Sequence, residues 1–135
     1  MKKYVLDSHA ILTYLTDQTG NNVVEALLLE AEQGKAELLL SVINLGEVAY
    51  IIERRLGRSQ RNLILMNIEV LPVKLIDASK DLALKAAALK ARYAIAFADC
   101  FAAALAQWFG ASVLTGDPEF KKIQDVVPVE WLKKS

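Results

Sequence analysis

The chain has 135 residues, of which 54% are hydrophobic, and its sixteen basic residues balance its sixteen acidic residues. A chain of this length fits one domain over residues 1–135, which buries roughly 70% of the surface that the unfolded chain exposes. The neutral net charge excludes a long-range positive field for nucleic acid, but it does not exclude a local basic patch. The single Cys100 and the single His9 exclude an internal disulfide and a Cys/His zinc site.

Two observations bear on location. Residues 93–114 are nearly all apolar, but Asp99 and Gln107 interrupt them, and the uncharged run is far shorter than the roughly 20 residues of a membrane span. We therefore expect a buried helix there and no membrane association. The N-terminus begins with a strand pattern and has no cleavable apolar signal, so we expect a reducing, cytoplasmic compartment.

Predicted strands and helices alternate along the chain. The first strand, near residues 2–6, ends at Asp7, and its apolar run predicts burial on both faces in the middle of a parallel sheet. Helices are predicted over residues 8–16, 23–33, 44–56, 59–67, 77–93 and 97–109, and further strands over residues 37–42, 68–74, 112–115 and 126–129. Pro72 places the third strand at an edge of the sheet. This alternation predicts an α/β fold.

Four acids adjoin the carboxyl ends of these predicted strands: Asp7, Glu47, Asp99 and Asp117. Asp7 and Asp117 directly follow strands, and Glu47 and Asp99 fall in the first turns of predicted helices. Such positions meet at one edge of a parallel sheet, where ligands usually bind. Two carboxylates about 4 Å apart repel by roughly 4 kcal/mol at an effective dielectric constant of about 20. Oxygen ligands without a suitable His or Cys select Mg²⁺ or Mn²⁺, ions that can activate water for phosphodiester cleavage.

Helix capping explains three of these acids equally well when each is taken alone. Asp7 precedes a helix, Glu47 has capping-box spacing from Asn44, and Asp117 precedes Pro118. Asp99 is different because its neighbours are apolar almost all round, and burying an unpaired carboxylate is costly. The coincidence of four acids at one edge favours the functional interpretation over four independent caps.

Four stretches carry a resemblance to a known family: Val5-Leu6-Asp7-Ser8, Leu45-Gly46-Glu47-Val48, Phe97-Ala98-Asp99-Cys100-Phe101-Ala102-Ala103-Ala104 and Leu114-Thr115-Gly116-Asp117. Their order and spacing resemble the acidic motifs of the PIN-domain family, and the length is similar to that of its VapC-like ribonuclease toxins. The resemblance covers essentially the whole chain. It implies a single-domain α/β/α sandwich with a mainly parallel five-stranded sheet, Mg²⁺- or Mn²⁺-dependent endoribonuclease activity, a homodimer, and a small antitoxin partner.

The resemblance also assigns roles to individual residues. It implies that Asp7, Glu47, Asp99 and Asp117 are catalytic and bind the metal, and that the Thr115 hydroxyl accompanies the last acid. Ser8 matches a small or hydroxyl position after the first acid, whereas Cys100 stands where the toxins commonly have Ala.

Other residues admit a functional and a structural interpretation. Arg54, Arg55, Arg58 and Arg61 gather near the end of the helix that carries Glu47, and they form either a phosphate-binding patch or a solvated helix face. We expect Arg54 and Arg58 to be the phosphate-binding candidates. His9 suits surface packing better than catalysis, and we expect Trp108, Phe109 and Cys100 to lie in the core.

Rival functions fit the residues less well. A phospho-receiver module needs an adjacent acidic pair after the first strand, where this chain has Ser8 after Asp7. A haloacid-dehalogenase-type phosphatase needs a second Asp at the position of His9. A solitary RNA-processing nuclease remains as compatible with the residues as a toxin, and a non-catalytic RNA-binding or scaffold domain is disfavoured by the intact acidic set.

Overall fold

A five-stranded, all-parallel sheet organises the chain in this computed structural model, which describes residues 1–132. Residues 133–135, the end of the expected domain, lie outside the described residues. The strands are β1 (Lys2–Leu6), β2 (Ala36–Ser41), β3 (Lys74–Ile76), β4 (Ser112–Thr115) and β5 (Val129–Trp131), in the order β3-β2-β1-β4-β5. The expected α/β sandwich and the central position of β1 are confirmed.

Helices cover both faces of this sheet. They are α1 (Ser8–Leu15), α2 (Asn21–Glu32), α3 (Val42–Leu56), α4 (Arg58–Glu69), α5 (Lys80–Arg92) and α6 (Phe97–Phe109), and a 3₁₀ helix spans Pro118–Ile123. Side chains of β1 alternate between two cores. Tyr4 and Leu6 pack with residues of α1 to α4, whereas Val5 packs with α5 and α6. Burial on both faces explains why the strand reads as a continuous apolar run.

Several predicted boundaries are wrong, and in each case a neighbouring residue forms the cap or the turn. The N-cap of α3 is Ser41, whose hydroxyl accepts the Ile43 N–H, so Asn44 lies inside the helix and forms no capping box with Glu47. At α5 the N-cap is Ser79, so the helix begins at Lys80 and not at the predicted residue 77. The N-cap position of α2 is Gly20, so the helix begins at Asn21 and not at the predicted residue 23.

Two strands and one core residue also differ from the expectations. Residues 68 and 69 complete α4, Pro72 lies in a bend, and β3 begins only at Lys74, although it does lie at the sheet edge. The last strand begins after Pro128, because the 3₁₀ helix and the following turn take up the preceding residues. Trp108 is 53% exposed and not a core residue, whereas Cys100 is buried as expected.

The apolar stretch over residues 93–114 forms α6 and part of β4. Across residues 1–132, no helix is both long enough and apolar enough to cross a bilayer.

Candidate active site

The carboxyl ends of β1, β2 and β4 meet the N-terminal turns of α1, α3 and α6 at one edge of the sheet. A cleft of about 330 Å³ opens there. Its lining includes all four predicted acids together with one that the sequence argument missed: Asp7, Glu47, Asp99, Asp117 and Glu119. Of the described residues that line the cleft, none is Lys or Arg. The cleft therefore concentrates negative charge.

Asp7 is fixed at the centre of this edge. It is the N-cap of α1, where its Oδ1 accepts the Ala10 N–H at 2.8 Å, and its Oδ2 accepts the Thr115 hydroxyl. Burial raises the pKa of the Asp7 carboxyl from 3.8 to about 7, although both hydrogen bonds lower it. Repulsion from Asp99 and Asp117 adds to the rise. Asp7 is thus both a helix cap and a member of the acidic cluster.

Thr115 connects two of the acids. Its hydroxyl donates to Asp7 and accepts the Asp117 N–H at 2.9 Å. Because Thr115 is fully buried, it acts on the cleft through these two neighbours. Asp117 in turn caps the 3₁₀ helix by accepting the Glu119 N–H at 2.9 Å, with Pro118 at the first helical position.

Glu47 enters the cleft from the second turn of α3, because that helix begins two residues earlier than expected. Its Oε1 accepts a hydrogen bond from the Ser8 hydroxyl, which belongs to the first turn of α1. The side chain is therefore oriented from another helix, and the capping interpretation of Glu47 is wrong.

Asp99 lies in the first turn of α6, as expected, and its carboxylate accepts no side-chain hydrogen bond or ion pair from the described residues. Burial raises its pKa to about 7, and repulsion from Asp117, Glu47 and Glu119 contributes further. Glu119 was detectable in the sequence, since it stands two residues after Asp117 in the turn that Pro118 begins.

The predicted phosphate-binding residues lie away from this lining. Arg54 and Arg58 are exposed at the end of α3 and the start of α4, and neither lines the cleft. The Arg54 guanidinium lies 5.1 Å from the centre of the Tyr50 ring, and Arg61 pairs with Glu53 at 2.6 Å. Their contact with RNA stays a prediction.

His9 is exposed at the rim of the cleft, on the side of Gly116. A Cβ atom added to Gly116 would lie 2.6 Å from His9 Cε1. The imidazole ring of His9 therefore packs directly over Gly116, where any side chain would contact it. Thr13 Oγ1 lies 3.4 Å from His9 Nδ1. These contacts agree with the packing interpretation of His9.

The donor set of the cleft fits a hard divalent cation. Its acids offer carboxylate oxygens, and the pKa values of Asp7 and Asp99 are raised by burial and, to a smaller extent, by neighbouring negative charge that a cation would compensate. As the side chains of residues 1–132 stand, no three Asp, Glu, His or Cys groups lie close enough to share one ion. Ligation therefore requires the carboxylates to draw closer together.

Comparisons with known proteins agree with this architecture. A family model described as "PIN domain" matches residues 4–126. No curated protein matches the sequence.

Similar solved structures include a chain of VapBC2 from Rickettsia felis bound to a promoter DNA fragment, with a TM-score of 0.77 and 20% identity over 97% of this chain and 99% of that one. Another is DNA-bound VapBC from Salmonella typhimurium, with a TM-score of 0.76 and 21% identity over 98% and 100% of the two chains. A third is VapC20 from Mycobacterium tuberculosis, described as a sarcin-ricin loop cleaving toxin, with a TM-score of 0.71 and 18% identity over 93% and 99%. At these identities the likeness establishes the fold.

Proposed function

Since the chain belongs to the PIN-domain family, we propose that it is a Mg²⁺- or Mn²⁺-dependent endoribonuclease and the toxin of a toxin–antitoxin pair. The observation that carries this proposal is the convergence of Asp7, Glu47, Asp99 and Asp117 in one cleft at the carboxyl edge of a parallel sheet. Helix capping accounts for Asp7 and Asp117 but not for Glu47 and Asp99, which cap no helix, whereas a metal-binding site accounts for all four acids.

These four acids would hold the cation, and neighbouring hydroxyls orient two of them. Thr115 fixes one oxygen of Asp7, and Ser8 fixes one oxygen of Glu47. A divalent cation, when bound, offsets the charge of the phosphate group and activates a water for attack. Burial favours the protonated forms of Asp7 and Asp99 by raising the pKa of each, and both would release the proton on becoming ligands.

The RNA chain needs cationic contacts outside the acidic cleft. Arg54 is seven residues beyond Glu47 on α3, which places the two backbones about 10 Å apart along the helix axis. The cleft itself repels phosphate, so exposed Arg54 and Arg58 support a path for the RNA backbone that leaves the cleft along α3. Replacing either arginine with Gln should weaken RNA binding more than cleavage of bound RNA.

The proposed partners are a small antitoxin and a second copy of this chain. Support for the antitoxin comes from the similar folds found in VapBC proteins, and the similar VapC20 is described as a sarcin-ricin loop cleaving toxin. A solitary RNA-processing nuclease would use the same cleft without an antitoxin.

The test of the nuclease function is cleavage of total cellular RNA by the purified chain, with cut sites located by sequencing the new ends. Cleavage should require Mn²⁺ or Mg²⁺ and should be lost in Asp99→Asn. Asp77→Asn is the matched control, because it makes the same chemical change at an exposed residue outside the cleft. Full activity of Asp99→Asn, or no cleavage by the unmodified chain with either ion, would refute the proposal.

The toxin role needs a separate experiment. Expression of the chain alone should arrest growth, and co-expression with a small neighbouring reading frame should restore growth and yield a complex on size-exclusion chromatography. Normal growth with no inhibitory neighbouring product would favour the solitary nuclease. Light scattering of the isolated chain tests the expected homodimer.

A further inference from the structure

Asn44 occupies an unusual position for an amide side chain. It lies in the first turn of α3, three residues before Glu47, and it is fully buried. Asn is a poor helix former and is seldom fully buried, because its amide must find partners within the protein. Its Nδ2 lies 3.2 Å from Ser8 Oγ in α1 and 3.3 Å from the Ala98 carbonyl oxygen in α6. One side chain therefore joins the N-terminal turns of three helices.

The orientation of this amide follows from its partners. The Ala98 carbonyl can only accept a hydrogen bond, so the atom facing it must be the Nδ2 group of Asn44. Oδ1 is then left without a hydrogen-bond partner. Among the described residues, it is the only buried side-chain nitrogen or oxygen that lacks one. A buried oxygen without a partner lowers stability.

Stability is therefore a poor explanation for Asn44. The Ala98 carbonyl can also accept a hydrogen bond within α6 by the ordinary helical pattern, and the Ser8 hydroxyl still has Glu47 as an acceptor. An apolar side chain of similar size would leave neither partner without a hydrogen bond, and it would remove the unpaired oxygen.

The elements that Asn44 joins are those that carry three acids of the cleft. Ser8 follows Asp7 and donates to Glu47, and Ala98 precedes Asp99. We propose that Asn44 is a positioning residue, whose buried amide sets the relative placement of α1, α3 and α6 and thereby the spacing of Asp7, Glu47 and Asp99. This inference rests on the proposed nuclease function.

Asn44→Leu tests the inference, since Leu is similar in size and forms no hydrogen bond. A misplacement of about 1 Å can cost roughly 10²-fold in rate, so kcat should fall by about that factor while KM changes less than about twofold. Removing a residue that orients ligands typically weakens metal binding about 10- to 100-fold, and calorimetric titration with Mn²⁺ measures this without RNA. The melting temperature of the metal-free variant should stay within a few degrees of the original.

Ser41→Ala is the matched control. It removes the N-cap of the same helix, where Ser41 Oγ accepts the Ile43 N–H at 3.1 Å, and none of its described hydrogen bonds reaches Ser8 or Ala98. It should lower the melting temperature yet retain kcat and Mn²⁺ affinity. If Asn44→Leu does not fold, the smaller polar variant Asn44→Ser replaces it, with the same expected losses of kcat and Mn²⁺ affinity.

These outcomes distinguish a failure of the positioning role of Asn44 from a failure of the proposed nuclease function. If the unmodified chain binds Mn²⁺ and cleaves RNA, and the Asn44 variant keeps both properties as Ser41→Ala does, the positioning role is refuted and the nuclease function stands. If the variant loses activity only in proportion to lost stability, the role is likewise refuted. If the unmodified chain neither binds Mn²⁺ nor cleaves RNA, the proposed function itself fails.

Discussion

Substituting Asn for Asp99 should move stability and activity in opposite directions. In the folded protein the pKa of Asp99 is raised to about 7 from 3.8, so the folded state binds this proton more tightly than the unfolded state does. Below about pH 4 the Asp99 carboxyl is protonated in both states and does not lower the free energy of unfolding. As the pH rises from about 4 to about 7, the unfolded state ionises first, and the metal-free protein loses stability.

The size of this loss follows from the shift. About three pKa units at about 1.4 kcal/mol each give an upper bound near 4 kcal/mol above pH 7. Asp99 opens into the cleft, where solvent screens its charge, and the discounted contribution is about 1 to 2 kcal/mol. Asn cannot ionise and loses no hydrogen bond found among the described residues, so Asp99→Asn should be more stable than the original chain by that amount at about pH 8.

Urea unfolding in the presence of a chelator measures this difference at about pH 4 and about pH 8. The free energy of unfolding of Asp99→Asn should exceed that of the original chain only at the higher pH, and the variant should no longer cleave RNA. The exposed Asp77→Asn variant supplies the baseline, because it makes the same chemical change outside the cleft. A gain of equal size at both pH values, or a loss at pH 8, would refute the view that ionised Asp99 is destabilised by burial and by neighbouring acids.

Two further predictions concern the same edge of the sheet. Saturating Mn²⁺ should raise the melting temperature, because an ion at about a hundred times its Kd stabilises the native state by about 2.7 kcal/mol, and Asp7→Asn should reduce the shift. A melting temperature unchanged by Mn²⁺ would mean that the acids do not form a metal site. Gly116→Ala should cost at most about 1 kcal/mol, because the added Cβ would lie 2.6 Å from His9 Cε1 and the exposed imidazole ring must turn away from it. His9→Ala should restore part of that loss in a thermal melt, and no restoration would exclude the clash as the cause.

The sequence predicted the positions of three cleft acids correctly, two of them from strand ends and one from the start of a helix. Asp7 and Asp117 follow strands whose apolar runs are unambiguous, and Asp99 stands out in an apolar helix. Glu47 was placed in the wrong turn because Ser41 and Asn44 are both acceptable N-caps by local rules. Ser41 is the cap because the Asn44 amide is hydrogen-bonded elsewhere, to Ser8 and Ala98 in distant parts of the chain.

Errors elsewhere have the same origin in tertiary context. The local sequence of residues 68–70 is compatible with the end of a helix and with a strand. The packing of Ile68 against the core on the α1–α4 side of the sheet favours the helix. Trp108 is large and apolar, yet its position on the face of α6 leaves it half exposed. The nearness of Glu119 to Asp117 can be read from the sequence, but only the path of the 3₁₀ helix brings the Glu119 side chain into the lining of the cleft.

The double role of Asp7 and Asp117 bears on how an inactive form should be made for trapping bound RNA. Each carboxylate caps a helical turn through one oxygen, on the Ala10 N–H and the Glu119 N–H respectively. Alanine would remove the cap together with the charge, at about 1 kcal/mol for each position, and would loosen the segment that shapes the cleft. At Asp117 asparagine keeps an oxygen for the cap and removes only the charge, whereas at Asp7 it also replaces Oδ2, which accepts the Thr115 hydroxyl, with an amide donor. A trapped complex made with Asp117→Asn would therefore preserve the shape of the active protein better than one made with Asp7→Asn.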